Sequence, residues 1–195
     1  MKYFRVIVGS LSILTSASAL AQSEPVDKNV GGPYVGGLFQ IGQASSSGAS
    51  SPGPAWLGSL DLGVGLKRDT WNRIELGVEL GKGSLSFENK DKNIDATVSL
   101  DLSAVAKAGY GYSLGDHAFG VFRVGVGIAQ ASFKGAHDTG LVTLVGWDAV
   151  FPATDTIDVS AGFSWRSLQL KFADLGDHGV QYNVPTLALG ARVRL

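Results

Sequence analysis

From Gly32 to Leu195, hydrophobic and polar side chains alternate at every second position, and the alternation divides into eight runs. A period of two sends successive side chains to opposite faces of a strand, whereas a helix returns its apolar face every third or fourth residue. The runs are Gly32–Gln43, Trp56–Lys67, Trp71–Gly81, Ile94–Tyr112, Ala118–Phe133, Leu141–Phe151, Thr156–Leu168 and Pro185–Leu195. The fourth is the most regular: Ile94, Ala96, Val98, Leu100, Leu102, Ala104, Ala106, Ala108 and Tyr110 share one parity, opposite Asp95, Thr97, Ser99, Asp101, Ser103, Val105, Lys107 and Gly109. The last run puts Leu187, Leu189, Ala191, Val193 and Leu195 on one face and Thr186, Ala188, Gly190, Arg192 and Arg194 on the other. Such a terminal strand has a free edge unless it pairs with the first strand. The pattern therefore predicts an all-β fold, an eight-stranded antiparallel up-and-down β-barrel.

The connections alternate in length. Ala44–Ala55, Lys82–Asn93, Lys134–Gly140 and Gln169–Gly179 read as long loops, and Arg68–Thr70, Ser113–His117 and Pro152–Asp155 as tight turns. Short turns at one end and larger loops at the other are the arrangement of a transmembrane barrel, the short turns facing the periplasm. A soluble lipocalin-like barrel has the same period with its faces exchanged, so composition must decide. The polar parity is mostly Gly, Ser and Ala with single charges, which suits a crowded interior better than a wetted exterior.

The charges on that parity define a candidate lumen network: Asp61, Glu75, Glu79, Asp95, Asp101, Asp148 and Asp158 against Lys67, Arg73, Lys107, Arg123, Arg166, Arg192 and Arg194. Charges removed from water must pair, because an isolated buried charge is far costlier than a hydrogen-bonded pair. Glu75, Asp148 and Asp158 are expected to neutralise Arg192 and Arg194. The aromatic residues Trp56, Phe87 and Trp165 toward the loops, and Tyr110, Tyr112 and Phe151 toward the turns, suggest two interfacial girdles.

Composition narrows the class further. The chain opens M-K-Y-F-R, continues through an apolar run and reaches Ala19-Leu20-Ala21, a pattern expected of a secretory signal peptide over residues 1–21, with the barrel domain over 22–195. The apolar run is too short and too rich in Ser and Gly for a membrane-anchoring helix. Without Lys2 and Arg5 the acidic side chains outnumber the basic ones, and no basic patch recruits nucleic acid. No cysteine is present, which excludes disulfides and thiol chemistry. Twenty-seven glycines accompany only six prolines, without a three-residue period, so the bias is neither collagenous nor disordered.

The opening strand G-P-Y-V-G-G-L-F-Q-I-G (Gly32–Gly42), the hairpin Leu141–Trp165 and the closing L-G-A-R-V-R-L (Leu189–Leu195) resemble the eight-stranded, OmpA-type outer membrane protein beta-barrel family. The resemblance spans essentially the whole of 22–195. It implies export, residence in the cell outer membrane and a porin-like or surface-antigen barrel. Its partners would be outer-membrane lipid, the outer-membrane assembly machinery and host or surface ligands met through the loops. Leu189, Ala191, Val193 and Leu195 would carry the assembly signal, although family members usually end in Phe.

No cofactor is expected. Gly109-Tyr110-Gly111 and Gly125-Val126-Gly127 lie inside strands with no helix to receive a phosphate. Ser45, Ser46, Ser47, His137, Asp138 and His178 could assemble a loop-end site of the kind found in barrel enzymes that cleave lipids or peptides, and His137, Asp138, Asp177 and His178 a weak metal site. The leading expectation is non-enzymatic: a structural, surface-exposed, adhesin-like barrel with a filled lumen. The alternatives are a narrow porin-like channel and a loop-end lipid hydrolase or acyltransferase.

Overall fold

The computed structural model describes residues 31–46, 51–67, 72–89, 94–115, 118–172 and 180–195. They form one closed, all-antiparallel barrel of eight strands in sequential order. The strands are β1 (Gly32–Ser46), β2 (Ser51–Lys67), β3 (Asn72–Asn89), β4 (Ile94–Ser113), β5 (Phe119–Phe133), β6 (Ala136–Pro152), β7 (Ile157–Leu170) and β8 (Val180–Arg194). β8 closes the barrel against β1, with Tyr34 opposite Arg194 and Ser46 opposite Tyr182. The terminal strand thus has its partner, and the sheet closes on itself.

The strands are longer than the alternation indicated, and the difference lies at the end away from the chain termini. Lys82–Asn89 continues β3, Ser51–Ala55 belongs to β2, and Val180–Val184 begins β8. The expected loop Lys134–Gly140 is a two-residue turn, because Ala136–Gly140 pairs with Ala129–Phe133. Lys134 and Gly135 have φ of 49° and 84°, the left-handed pair that a type I′ hairpin demands. A Cβ on Gly135 would meet nothing, so Gly135→Val carries only the backbone penalty, about 1–2 kcal/mol. Its urea unfolding midpoint should fall accordingly.

The outer wall carries two bands. Toward the termini it is apolar: Leu102–Tyr112 on β4, Leu141–Phe151 on β6, Ile157–Trp165 on β7 and Leu187–Leu195 on β8 present Leu102, Tyr110, Leu141, Val145, Ile157, Phe163, Trp165, Leu187 and Leu189 outward. These stretches match the ~9–11 residues with which a tilted strand crosses hydrocarbon. Above them the outward positions are Lys82, Ser84 and Ser86, Thr97 and Ser99, Gln130, Thr139, Gln169 and Gln181. The outer wall therefore divides into a lower apolar band and an upper polar band.

The inward face changes in the opposite sense. On β3, β6 and β7 the inward parity is unbroken and only its composition changes, whereas β4 carries a bulge: Leu100 pairs with Ala131 and Leu102 with Gln130, leaving Asp101 as the extra residue. One added residue exchanges the faces of everything beyond it. Ala96, Val98 and Leu100, expected on the same face as Leu102, instead point inward and are buried, whereas Leu102 stays outside. Phe87, expected in an interfacial girdle, is likewise inside.

Candidate functional site

The lumen has two storeys, set by which side chains each strand sends inward. The storey nearer the termini is ionic, and Glu75 stands at its centre. Arg73 Nη2 lies 2.7 Å and Arg192 Nη1 2.8 Å from Glu75 Oε1, with Arg123 Nη2 3.6 Å from Oε2. Arg123 also pairs with Asp148. Arg192 Nε donates to Asp158 Oδ2 at 2.8 Å, and Arg194 Nη2 is 3.4 Å from Asp158 Oδ1. Arg192 and Asp158 face each other across β7 and β8, so register places them together. Two guanidiniums also cover rings: Arg192 lies 4.8 Å above Tyr34 and Arg73 4.9 Å above Phe119.

A second cluster sits around Glu79. Asp61 and Glu79 are cross-strand neighbours, and two like charges so placed repel unless a cation intervenes. Lys107 supplies it, with Nζ 2.8 Å from Asp61 Oδ2 and 3.6 Å from Glu79 Oε2. Arg166 Nη2 is 2.5 Å from Glu79 Oε1. Gln40 joins this cluster to the opposite wall. Its Nε2 donates to Glu79 at 3.2 Å, while its Oε1 accepts from Ser164, Arg166 and Thr186 at 3.0–3.3 Å. Gln40 and Thr186 escape a reading that looks only for charge; their inward parity beside Arg and Glu was the available signal.

Above the ions the lumen is apolar. Leu57, Leu85, Phe87, Val98, Leu100, Val142, Leu144, Leu168, Leu170, Phe172, Tyr182 and Val184 form one buried cluster. Phe87 and Tyr182 have ring centroids 5.5 Å apart, and Phe133 and Phe172 6.0 Å, distances typical of tilted aromatic pairs. A gap of about 20 Å³ between the storeys, bordered by Gln40, Glu79, Arg123, Asp148 and Arg166, has room for roughly one water. Packed ion pairs below and packed side chains above give this interior the chemistry of a plug.

The sequence-derived residues divide accordingly. Asp61, Arg73, Glu75, Glu79, Lys107, Arg123, Asp148, Asp158, Arg166, Arg192 and Arg194 meet in the ionic storey. Asp101 does not: the bulge turns it to the outer wall, where Ser132 Oγ donates to it at 3.1 Å and His137 Nδ1 lies 3.7 Å away. The side chains of Lys67 and Asp95 lie outside the described residues. Leu189, Ala191 and Val193 line the outer surface of β8, and Leu195, just beyond its end, is exposed.

Among the catalytic candidates, His137 faces Asp101, Asp138 accepts a hydrogen bond from the backbone N–H of Lys171, and Ser45 Oγ donates to the Asn183 carbonyl at 3.4 Å. His137 and Asp138 are neighbours on β6 and Ser45 lies on β1, and each makes a separate contact. Ser47, Asp177 and His178 fall outside the described residues, and among the described residues no cluster of three or more His, Asp or Glu could hold a metal.

The outer membrane protein beta-barrel domain family matches residues 10–194. Neisserial surface protein A, NspA, is similar in fold: 16% identity, a TM-score of 0.61, and coverage of 84% of this chain and 97% of that one. Ail, the attachment invasion locus protein of Yersinia pestis, matches at 15% identity and a TM-score of 0.41, covering 83% of this chain and 98% of its own. The N-terminal β-barrel domain of Pseudomonas aeruginosa OprF matches at 12% identity and a TM-score of 0.41, over 85% and 99%. No curated protein matches this sequence.

Proposed function

The chain belongs to the outer membrane protein beta-barrel domain family, and from that premise we propose that it is a non-enzymatic, plugged barrel of the cell outer membrane. In this reading residues 1–21 are a cleaved signal peptide and the apolar band seats the barrel in lipid. The end bearing the termini faces the periplasm. The protein contributes to envelope integrity and presents its upper wall and hairpins to surface ligands, in the manner of an adhesin. Leu189, Ala191, Val193 and Leu195 offer the assembly machinery its C-terminal signal.

The observation that carries the reading is the inversion of faces: apolar outside and charged inside below, polar outside and apolar inside above. The lower pattern suits a wall in hydrocarbon, where a Lys or Arg facing lipid at the midplane costs roughly 2–4 kcal/mol. The upper pattern suits water on the outside. An eight-stranded lumen is just wide enough to be filled by side chains, and here both storeys fill it.

Extraction tests the membrane placement. The protein should require detergent, and its unheated form should migrate differently from the boiled form on a denaturing gel; release by salt alone would overturn the proposal. The non-enzymatic reading predicts no turnover of lipid A, phospholipid or peptide substrates. Turnover abolished by His137→Ala would replace it with a loop-end enzyme.

A further inference from the structure

The wall contains a notch at the height where its outer face changes from apolar to polar. The β6–β7 ladder ends at Leu141 opposite Gln169. Beyond that point β6 stays with β5 as far as Ala136, while β7 stays with β8 as far as Leu170 opposite Val180. The two hairpins therefore part above a shared base. Gly140 marks that base: a Cβ there would lie 1.7 Å from the Gln169 carbonyl oxygen, so only glycine permits the approach. The resulting opening measures about 350 Å³ and is lined by Asp138, Thr139, Leu141, Gln169, Lys171 and Gln181.

That volume falls within the roughly 300–1,000 Å³ of small-molecule sites, and the lining is specific in chemistry. Thr139 and Gln169 bring a hydroxyl and an amide, groups that exchange hydrogen bonds with sugar hydroxyls, and Gln181, whose Nε2 donates to Ser167 Oγ at 2.9 Å, adds an amide carbonyl as an acceptor. Lys171 is exposed and brings an ammonium. The neighbouring carboxylate of Asp138 is already engaged by the Lys171 backbone N–H. Leu141 forms the lower lip and is exposed on the outer wall, as is Trp165 on the adjoining strand, so the notch opens at the upper limit of the apolar band.

We propose that this notch binds the phosphorylated sugar headgroup of a glycolipid in the outer leaflet. The lipid's acyl chains run down the wall past Leu141 and Trp165, its sugar lies against Thr139, Gln169 and Gln181, and its phosphate meets Lys171. The proposal rests on the membrane placement given above and adds to it a ligand class and a position.

The test uses the full barrel in nanodiscs. A phosphorylated glycolipid, its dephosphorylated counterpart or an anionic phospholipid is added as a minor component, and lipid retained on the protein after detergent exchange is quantified by mass spectrometry. The phosphorylated glycolipid should be retained in preference to both others, and Lys171→Glu should lower its retention about fivefold or more. Gln169→Leu should lower retention of both glycolipids. Lys171 is exposed, so its variant should keep the wild-type difference in gel mobility between unheated and boiled samples. Equal retention of all three lipids, or retention unchanged by Lys171→Glu, overturns the notch as a site while leaving the membrane placement intact. A barrel that does not enter nanodiscs at all overturns both.

Discussion

Glu75→Ala is expected to destabilise the barrel by about 3–5 kcal/mol, the usual result of removing one partner from a buried ionic cluster. Glu75 lies within 3.6 Å of three guanidiniums, those of Arg73, Arg123 and Arg192, and is 3% exposed. Its loss leaves Arg73, Arg123, Arg192 and Arg194 with only Asp148 and Asp158 as nearby acids in a buried interior. The desolvation already spent on those cations is no longer offset. Urea unfolding in lipid vesicles, followed by tryptophan fluorescence, should show a much lower midpoint or no assembled barrel. Glu75→Gln should fall nearly as far, since charge rather than shape is lost. Adding Arg73→Leu to Glu75→Ala should recover part of the loss, because one stranded cation is removed with its acid; strict additivity would mean the two do not interact. An unchanged midpoint for Glu75→Ala would show that the ionic storey contributes nothing to stability.

Deleting Asp101 is expected to be nearly as damaging, and for a different reason. Asp101 is the extra residue of the β4 bulge, and its removal would turn Val98 and Leu100, now 0% and 4% exposed, out to water. Thr97 and Ser99 would turn into the apolar storey. With roughly 1.5–3 kcal/mol for each large apolar side chain buried, the deletion should cost about 3 kcal/mol or more. Asp101→Ala keeps the register and loses only the contacts to Ser132 and His137, both on the outer wall; its midpoint should stay near wild type. Hydrogen exchange over residues 94–100 would separate the two cases. Equal effects from deletion and substitution would show that the bulge does not set the faces.

These two residues also mark how far the sequence could be read. The alternating period specified the strands, their number and the closure of β8 on β1, because a strand half in lipid and half against a packed lumen must alternate. Register then brought Arg192 to Asp158, and Asp61 and Glu79 to Lys107. A one-residue insertion is invisible to a parity count, so Ala96, Val98 and Leu100 seemed continuous with Leu102 until pairing with β5 exposed the bulge. The upper hairpins were obscured differently. Outside the membrane the outward positions become Ser, Thr, Gln and Lys, and Lys82–Asn89 or Ala136–Gly140 then has the composition of a loop. The inward partners Leu85 and Phe87, or Val142 and Leu144, kept the same period with the faces exchanged. Asp101 misled twice, as an apparent lumen charge and as a member of an unbroken strand.

On the proposed reading both storeys of the lumen are closed by their own side chains. Single-channel recording of the purified protein in planar bilayers tests it most directly. A plugged barrel should insert without stable conductance, both as the wild type and as Lys171→Glu, whose site lies on the outer wall. A steady, charge-selective conductance in the wild type, altered by Arg123→Ala or Glu79→Ala, would contradict it and identify a narrow channel through the ionic storey.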